Sequence, residues 1–232
     1  MKKIFCLILA IIMILGLTAC NMVRDTQNAQ ENESQTESKN DGTAEDSANN
    51  EPQLVLGEIK GEFYENEFIE IGFNKPGGWS FYNIQQLANL NDINMNNLDT
   101  DMVTALENKD NFCEMYAHSS DKKSSVCITM EKRSSEEKVK SLDLSSYIGS
   151  VLDRDVRAYE RKDYSKINAS IKPIDVDGIE YTATRIIAES DGSKICEKTF
   201  LIKCGKYIAH IRVISNNENS VDNLIRKFYI IL

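Results

Sequence analysis

The chain has 232 residues, with 27 Lys and Arg against 36 Asp and Glu and a formal net charge of −9. No block of basic residues interrupts that acidic balance, which excludes an ordinary nucleic-acid binder, because neutralising phosphates needs clustered Lys and Arg. It also argues against a protein that coats an anionic lipid surface.

Lys2 and Lys3 precede an apolar run from Ile4 to Leu17. At 1.5 Å per residue the run reaches roughly 20 Å, short of the about 30 Å of a bilayer core. Its size is that of a signal-peptide core rather than a membrane span. The run closes on Leu17-Thr18-Ala19-Cys20, which resembles the lipobox of bacterial lipoproteins. The resemblance implies cleavage after Ala19, with Leu17, Thr18 and Ala19 as the cleavage motif, and lipid attachment at Cys20. A diacylglyceryl group passes the two-chain threshold for stable anchoring. The expected location is the extracytoplasmic face of the cell membrane. Loss of Lys2 and Lys3 with the signal takes the formal charge to −11.

Asn21 to Gln53 carries eight acids against Arg24 and Lys39 and contains no aromatic residue. A tract with so little apolar surface cannot offset its ordering entropy, so a disordered tether is expected over residues 20–53. Its root-mean-square reach is on the order of 30 Å. The 179 residues from Leu54 to Leu232 suffice for one domain with a proper core.

Within that domain, Leu54 to Lys75 alternates in short runs and predicts two strands that turn around Tyr64-Glu65-Asn66-Glu67. Pro76-Gly77-Gly78 is a turn leading into Trp79. Ile84, Leu87, Ala88 and Leu90 predict a short helix, and Leu98, Met102, Val103 and Leu106 another. Phe112 to His118 and Val126 to Glu131 predict a hairpin over the polar loop Ser119 to Ser125. A longer helix is expected over Leu144 to Tyr159 with Asp143 as its N-cap. Its apolar residues Leu144, Ile148, Val151, Leu152, Val156 and Tyr159 fall within an arc of about 140°. Four strands follow near 165–175, 178–188, 194–203 and 206–214, with turns at Asp177-Gly178, Asp191-Gly192 and Cys204-Gly205. Pairing the last two puts Cys196, Phe200 and Ile202 on one face with Lys198 as the misfit, and sets His210 against Thr199. Ser220 is expected to open a closing helix with Val221, Leu224, Ile225 and Phe228 inward.

This order predicts an α+β domain, a largely antiparallel sheet with helices packed on both faces. The runs Phe63-Tyr64-Glu65-Asn66-Glu67-Phe68, Gly72-Phe73 and Pro76-Gly77-Gly78-Trp79-Ser80-Phe81, with Met115-Tyr116-Ala117 and Asp177-Gly178-Ile179-Glu180-Tyr181, carry a further resemblance. It is to small lipoproteins of low-GC Gram-positive bacteria with a PsbP-like domain. The resemblance covers most of residues 60–230 and implies a sheet with helices on both faces. Members of this fold mostly serve as binding or assembly subunits; nothing here marks a photosystem partner.

Signals for chemistry are sparse. His118 is followed by Ser119, Ser120 and Asp121, a string that a hairpin loop also favours for turn reasons, and no catalytic residue is assigned. Trp79 and Tyr82, with His118, form the one candidate binding surface for a sugar or peptide. Asp175-x-Asp177-Gly178 resembles the start of a calcium loop but lacks the later ligands, and no glycine-rich phosphate loop is present, so no metal and no cofactor are expected. Beyond Cys6 and Cys20 stand Cys113, Cys127, Cys196 and Cys204, without a Cys-x-x-Cys arrangement. They allow three pairings into two disulfides. Strand parity groups Cys113 with Met115 and Ala117 and puts Cys127 on the opposite face from its neighbours Val126 and Ile128. The register sets neither Cys113 opposite Cys127 nor Cys196 opposite Cys204, which favours free thiols.

The expected function is that of a membrane-anchored extracytoplasmic lipoprotein, a non-catalytic binding or assembly module for a protein or cell-envelope partner. The alternatives are an envelope hydrolase or thiol-redox enzyme and a small-ligand receptor.

Overall fold

The computed structural model describes residues 53–94 and 102–231. Leu17, Thr18, Ala19, Cys20, all of the acidic tract before Gln53, and Leu98 lie outside the described residues. In chain order the elements are β1 (Glu58–Lys60), β2 (Phe63–Asn66), β3 (Ile71–Asn74), β4 (Trp79–Phe81), α1 (Ile84–Leu90), α2 (Met102–Glu107), β5 (Asn111–Ser119) and β6 (Ser125–Lys132). Then come α3 (Glu136–Lys140), α4 (Leu144–Glu160), β7 (Lys166–Val176), β8 (Ile179–Ser190), β9 (Ser193–Cys204), β10 (Tyr207–Ser215), α5 (Glu218–Ile225) and β11 (Phe228–Ile230).

Two antiparallel sheets result. The larger has the order β4-β5-β6-β10-β9-β8-β7, and the smaller β1-β2-β3-β11. The alternation along each long strand assigns the two faces of the larger sheet. One face presents Met115, Ala117, Val126, Ile128, Met130, Phe200, Ala209, Ile211 and Val213 to the main core, where Tyr64, Ile71 and Phe73 of the small sheet and Val221, Leu224 and Ile225 of α5 meet them. The other face is covered by α3 and α4. Val139, Ile148 and Val151 pack on Leu201 and Ile208, and Tyr159 packs with Ile186, Ala188 and Ile195. The architecture is thus α+β, with helices on both faces of an antiparallel sheet.

Local rules account for the element ends. Asn83 and Gln86 form a reciprocal capping box at α1, each side chain accepting from the other's backbone N–H at 2.9 Å. Asp143 caps α4 by accepting from Ser145 N and Ser146 N. Asp177 and Gly178 both have positive φ, as a two-residue hairpin turn between right-twisted strands requires.

Four expectations from the sequence need correction. Tyr64, Glu65 and Asn66 lie inside β2, and the turn comes at residues 67–70. There Asn66 Oδ1 accepts from Phe68 N and Ile69 N and thereby closes the bend. Phe228 is not on the last helix. Asn217 caps α5, which ends at Ile225, and Phe228 opens β11 opposite Phe73 of β3. His210 lies opposite Leu201, while Thr199 faces Arg212, because the turn before β10 is Gly205-Lys206 and pairs Cys204 with Tyr207. Cys113 does not share a face with Met115. A β-bulge at Glu114 breaks the alternation, so that Cys113 pairs with Thr129 and Met115 with Ile128.

Candidate functional site

The polar chemistry of the domain gathers on the helix-covered face of β5, β6, β9 and β10. β6 contributes Cys127, Thr129 and Glu131; β10 contributes His210 and Arg212; β9 contributes Glu197 and Thr199. α4 contributes Tyr147, Asp155 and Tyr159 from above. Asp155 lies inside the apolar arc of the helix and is buried with it.

Two linked clusters form there. In the first, Glu131 accepts from the Tyr147 hydroxyl, lies 2.9 Å from His210 Nε2 and pairs with Arg133 at 2.7 Å. Burial works to raise the Glu131 carboxyl, but its His210, Tyr147 and Arg133 partners outweigh it and hold it at about 2. Burial pushes His210 below its usual range even though Glu131 pulls the other way. In the second, Arg212 reaches Asp155 at 2.9 Å and Glu197 at 3.2 Å, and Tyr159 donates to Glu197 at 2.6 Å. Burial raises Glu197 despite the nearby guanidinium; for Asp155, Arg212 and Arg154 overcome burial and keep the carboxyl low. Every charged group has a partner of opposite sign or a hydrogen bond, as burial demands.

Cys113 and Cys127 border this network. The bulge turns Cys113 to the Cys127 side, and the two Sγ atoms lie 3.3 Å apart as free thiols. The same bulge sends Glu114 into the core. There its Oε1 accepts from Gly57 N at 2.6 Å, from the Tyr64 hydroxyl at 2.7 Å and from Asn66 Nδ2. The outer edge of β5 is not covered by β4 at this level. Asn91, just after α1, stands in for a strand: its amide donates to Cys113 O and accepts from Cys113 N, both at 2.7 Å.

Of the residues singled out from the sequence, Tyr82 and His118 come together and Trp79 does not join them. Trp79 and Phe81 pack against the main core. Tyr82 packs against Tyr116 at a tilt, ring centroids 4.4 Å apart, and meets His118 edge-on at 5.6 Å on the opposite side of the sheet. Trp79 therefore does not share a surface with Tyr82 and His118. His118 Nδ1 lies 2.8 Å from Ser119 O, while the Ser119 hydroxyl donates to Asp121 at 2.7 Å, so this string is tied into its own loop. Among the described residues no group of three His, Cys, Asp or Glu is placed to hold a metal ion, and no helix is long and apolar enough to cross a membrane.

Sequence reading missed the ionic clusters and the thiol contact. A signal for the first exists: Asp155 is a charge in the middle of an apolar helical arc, and His210 and Arg212 interrupt an otherwise apolar run from Tyr207 to Ile214. No such signal marks the bulge.

No family model matches the sequence, and no curated protein matches it. Among solved structures, the chain is similar to the cyanobacterial PsbP protein (CyanoP) of Synechocystis, with 10% identity and a TM-score of 0.44 over 75% of this chain and 98% of that one. It is also similar to a protein of Bacteroides thetaiotaomicron, with 8% identity and a TM-score of 0.35 over 74% of this chain and 49% of that one, so it spans about half of that relative's length. A third similarity is to LpqN of Mycobacterium tuberculosis, a protein involved in cell envelope biogenesis, with 10% identity and a TM-score of 0.33 over 70% and 83%.

Proposed function

We propose that this protein is a bacterial surface lipoprotein, cleaved after Ala19, held by lipid on Cys20, and displaying residues 54–232 as a non-catalytic binding or assembly module. Its partner is a protein or another component of the cell envelope. The observation that carries this reading is Leu17-Thr18-Ala19-Cys20 at the end of an apolar run too short to span a bilayer, followed by an acidic tract that ends where the fold begins.

The entry of the chain into the domain supports a tethered arrangement. Leu54 is the first buried residue among the described residues. Immediately after it, Val55 O accepts from Asn66 Nδ2 at 3.4 Å and Gly57 N donates to Glu114. The fold thus grips the chain within four residues of the tract, which suits a module displayed at the end of a leash.

The test is fractionation and crosslinking on intact cells with wild type and Cys20→Ser. The variant is expected in the soluble fraction, and a discrete crosslinked partner is expected with the wild type alone. A variant that stays with membranes through a high-salt wash overturns the anchor. The same crosslinking pattern for both forms, or none for either, overturns the module that works at the membrane.

A further inference from the structure

We infer that Cys127 and Cys113 form a thiol–disulfide exchange site, with Cys127 the attacking and Cys113 the resolving thiol, whose substrate is a low-molecular-weight disulfide. This goes beyond the anchored binding module and does not depend on it.

The geometry distinguishes this pair from the other cysteines. The bulge at Glu114 is the only reason the two side chains meet, since strict alternation would put them on opposite faces. Their sulfurs are in contact, 3.3 Å apart, across the strand pair. The neighbours of Cys127 favour negative charge on its sulfur. Arg212 is its direct cross-strand partner, and Thr129 Oγ1 lies 3.4 Å away. Cys113 Sγ lies 3.4 Å from Met115 O and is buried, while Cys127 is only half-buried. The less buried member of the pair is therefore the one paired across the strands with Arg212, which suits an attacking thiol. The hydrogen bond from Cys113, helped by Thr129 and Arg212, also pulls the Cys127 thiol below its usual range against the effect of burial. Cys196 and Cys204 lie on the other face of the sheet. Both are buried on the core side, and burial pushes Cys204 up to about 12.

The exchange balances without any further reagent. Cys127 releases its proton, and the thiolate attacks one sulfur of the disulfide, whose S–S bond breaks and expels a thiolate. Cys113 gives its proton to that thiolate and attacks Cys127 Sγ in the mixed disulfide, expelling the second thiolate, which takes up the proton that Cys127 released. Two protein thiols become one cystine, and one disulfide becomes two thiols; two electrons and two protons pass from protein to substrate.

The test uses the folded full chain and glutathione disulfide, with acid quenching, alkylation and mass mapping of the cysteine peptides. Wild type is expected to yield a Cys113–Cys127 linked peptide lighter by two hydrogen atoms, with Cys196 and Cys204 still alkylated. Cys113→Ser is expected to accumulate glutathione on Cys127, and Cys127→Ser to leave Cys113 reacting at least about tenfold more slowly. Full alkylation of Cys113 and Cys127 after prolonged exposure of the wild type overturns the assignment. So does equal modification of Cys196 or Cys204. The wild-type result stands alone should either variant fail to fold.

Discussion

Asp155, from the middle of the apolar stripe of α4, meets Arg212 of β10 at 2.9 Å beneath the helix. The helix is therefore fastened to the sheet by apolar packing along its length and by one ion pair inside that packing. Arg212 extends the pair to Glu197 and lies across from Cys127. One guanidinium thus joins the helix, two further strands and the thiol pair.

Removal of Asp155 should leave that guanidinium under-compensated in a poorly solvated place. Asp155→Ala is expected to destabilise the domain by on the order of 3 kcal/mol, read as a lower denaturant midpoint at unchanged slope. Arg212→Leu combined with Asp155→Leu and Glu197→Gln should recover part of the loss, because removing all three charges leaves no uncompensated ion beneath the helix. A loss below about 1 kcal/mol for the single change would mean that the apolar packing and the Tyr147 and Tyr159 hydrogen bonds hold α4 with little help from the ion pair.

Acid should weaken the fold through Glu131 and His210 in the same direction. Glu131 sits at about 2 in the folded chain against an ordinary 4.5. The unfolded chain therefore binds more protons between those values, and stability is lost as pH falls through that window, by on the order of 3 kcal/mol in total. His210 is held below its ordinary 6.5. The unfolded chain takes that proton first, so the decline begins below pH 6.5. Denaturant titrations at a series of pH values should show Glu131→Gln with a shallower acid slope than wild type; an unchanged slope would contradict the assignment.

Asn91→Ala should orphan both backbone groups of Cys113 at the edge of β5. The expected cost is about 2 kcal/mol, more than a surface substitution gives. Amide exchange at Cys113 should accelerate while that at Ile128 and Ile211 follows only the global change. An unaltered exchange rate at Cys113 would show that the Asn91 bond is not what protects that amide.

Gly72→Ala should loosen the small sheet. A Cβ at Gly72 would overlap the ring of Tyr229 from the paired strand β11, and the Tyr229 hydroxyl is itself engaged with Glu65 at 3.0 Å. The ring has to move, at a cost of about 1–3 kcal/mol. Gly77→Ala serves as the control, since open space surrounds that position. Equal midpoints for the two variants would show that the ring yields freely.

What the sequence determined by itself was local. Alternation with a period of two marked the four long strands β7 to β10, the 3.6-residue period marked α4, and Asp143 and the Asp177-Gly178 turn marked two of their ends. These signals are legible because each depends on residues within a turn or two of one another. Their order along the chain then implied an antiparallel α+β domain. The tertiary structure alone decided what depends on distant partners or on a break in the period. It assigned Phe228 to a strand because β3 offered an edge, and it buried Asp155 because Arg212 awaited it on β10. It brought Cys113 to Cys127 because the inserted residue Glu114 found donors in Gly57, Tyr64 and Asn66, roughly fifty residues earlier. A bulge reverses the facing of every residue beyond it, so one long-range carboxylate contact rewrites a pattern that strand parity alone reads with the opposite sign.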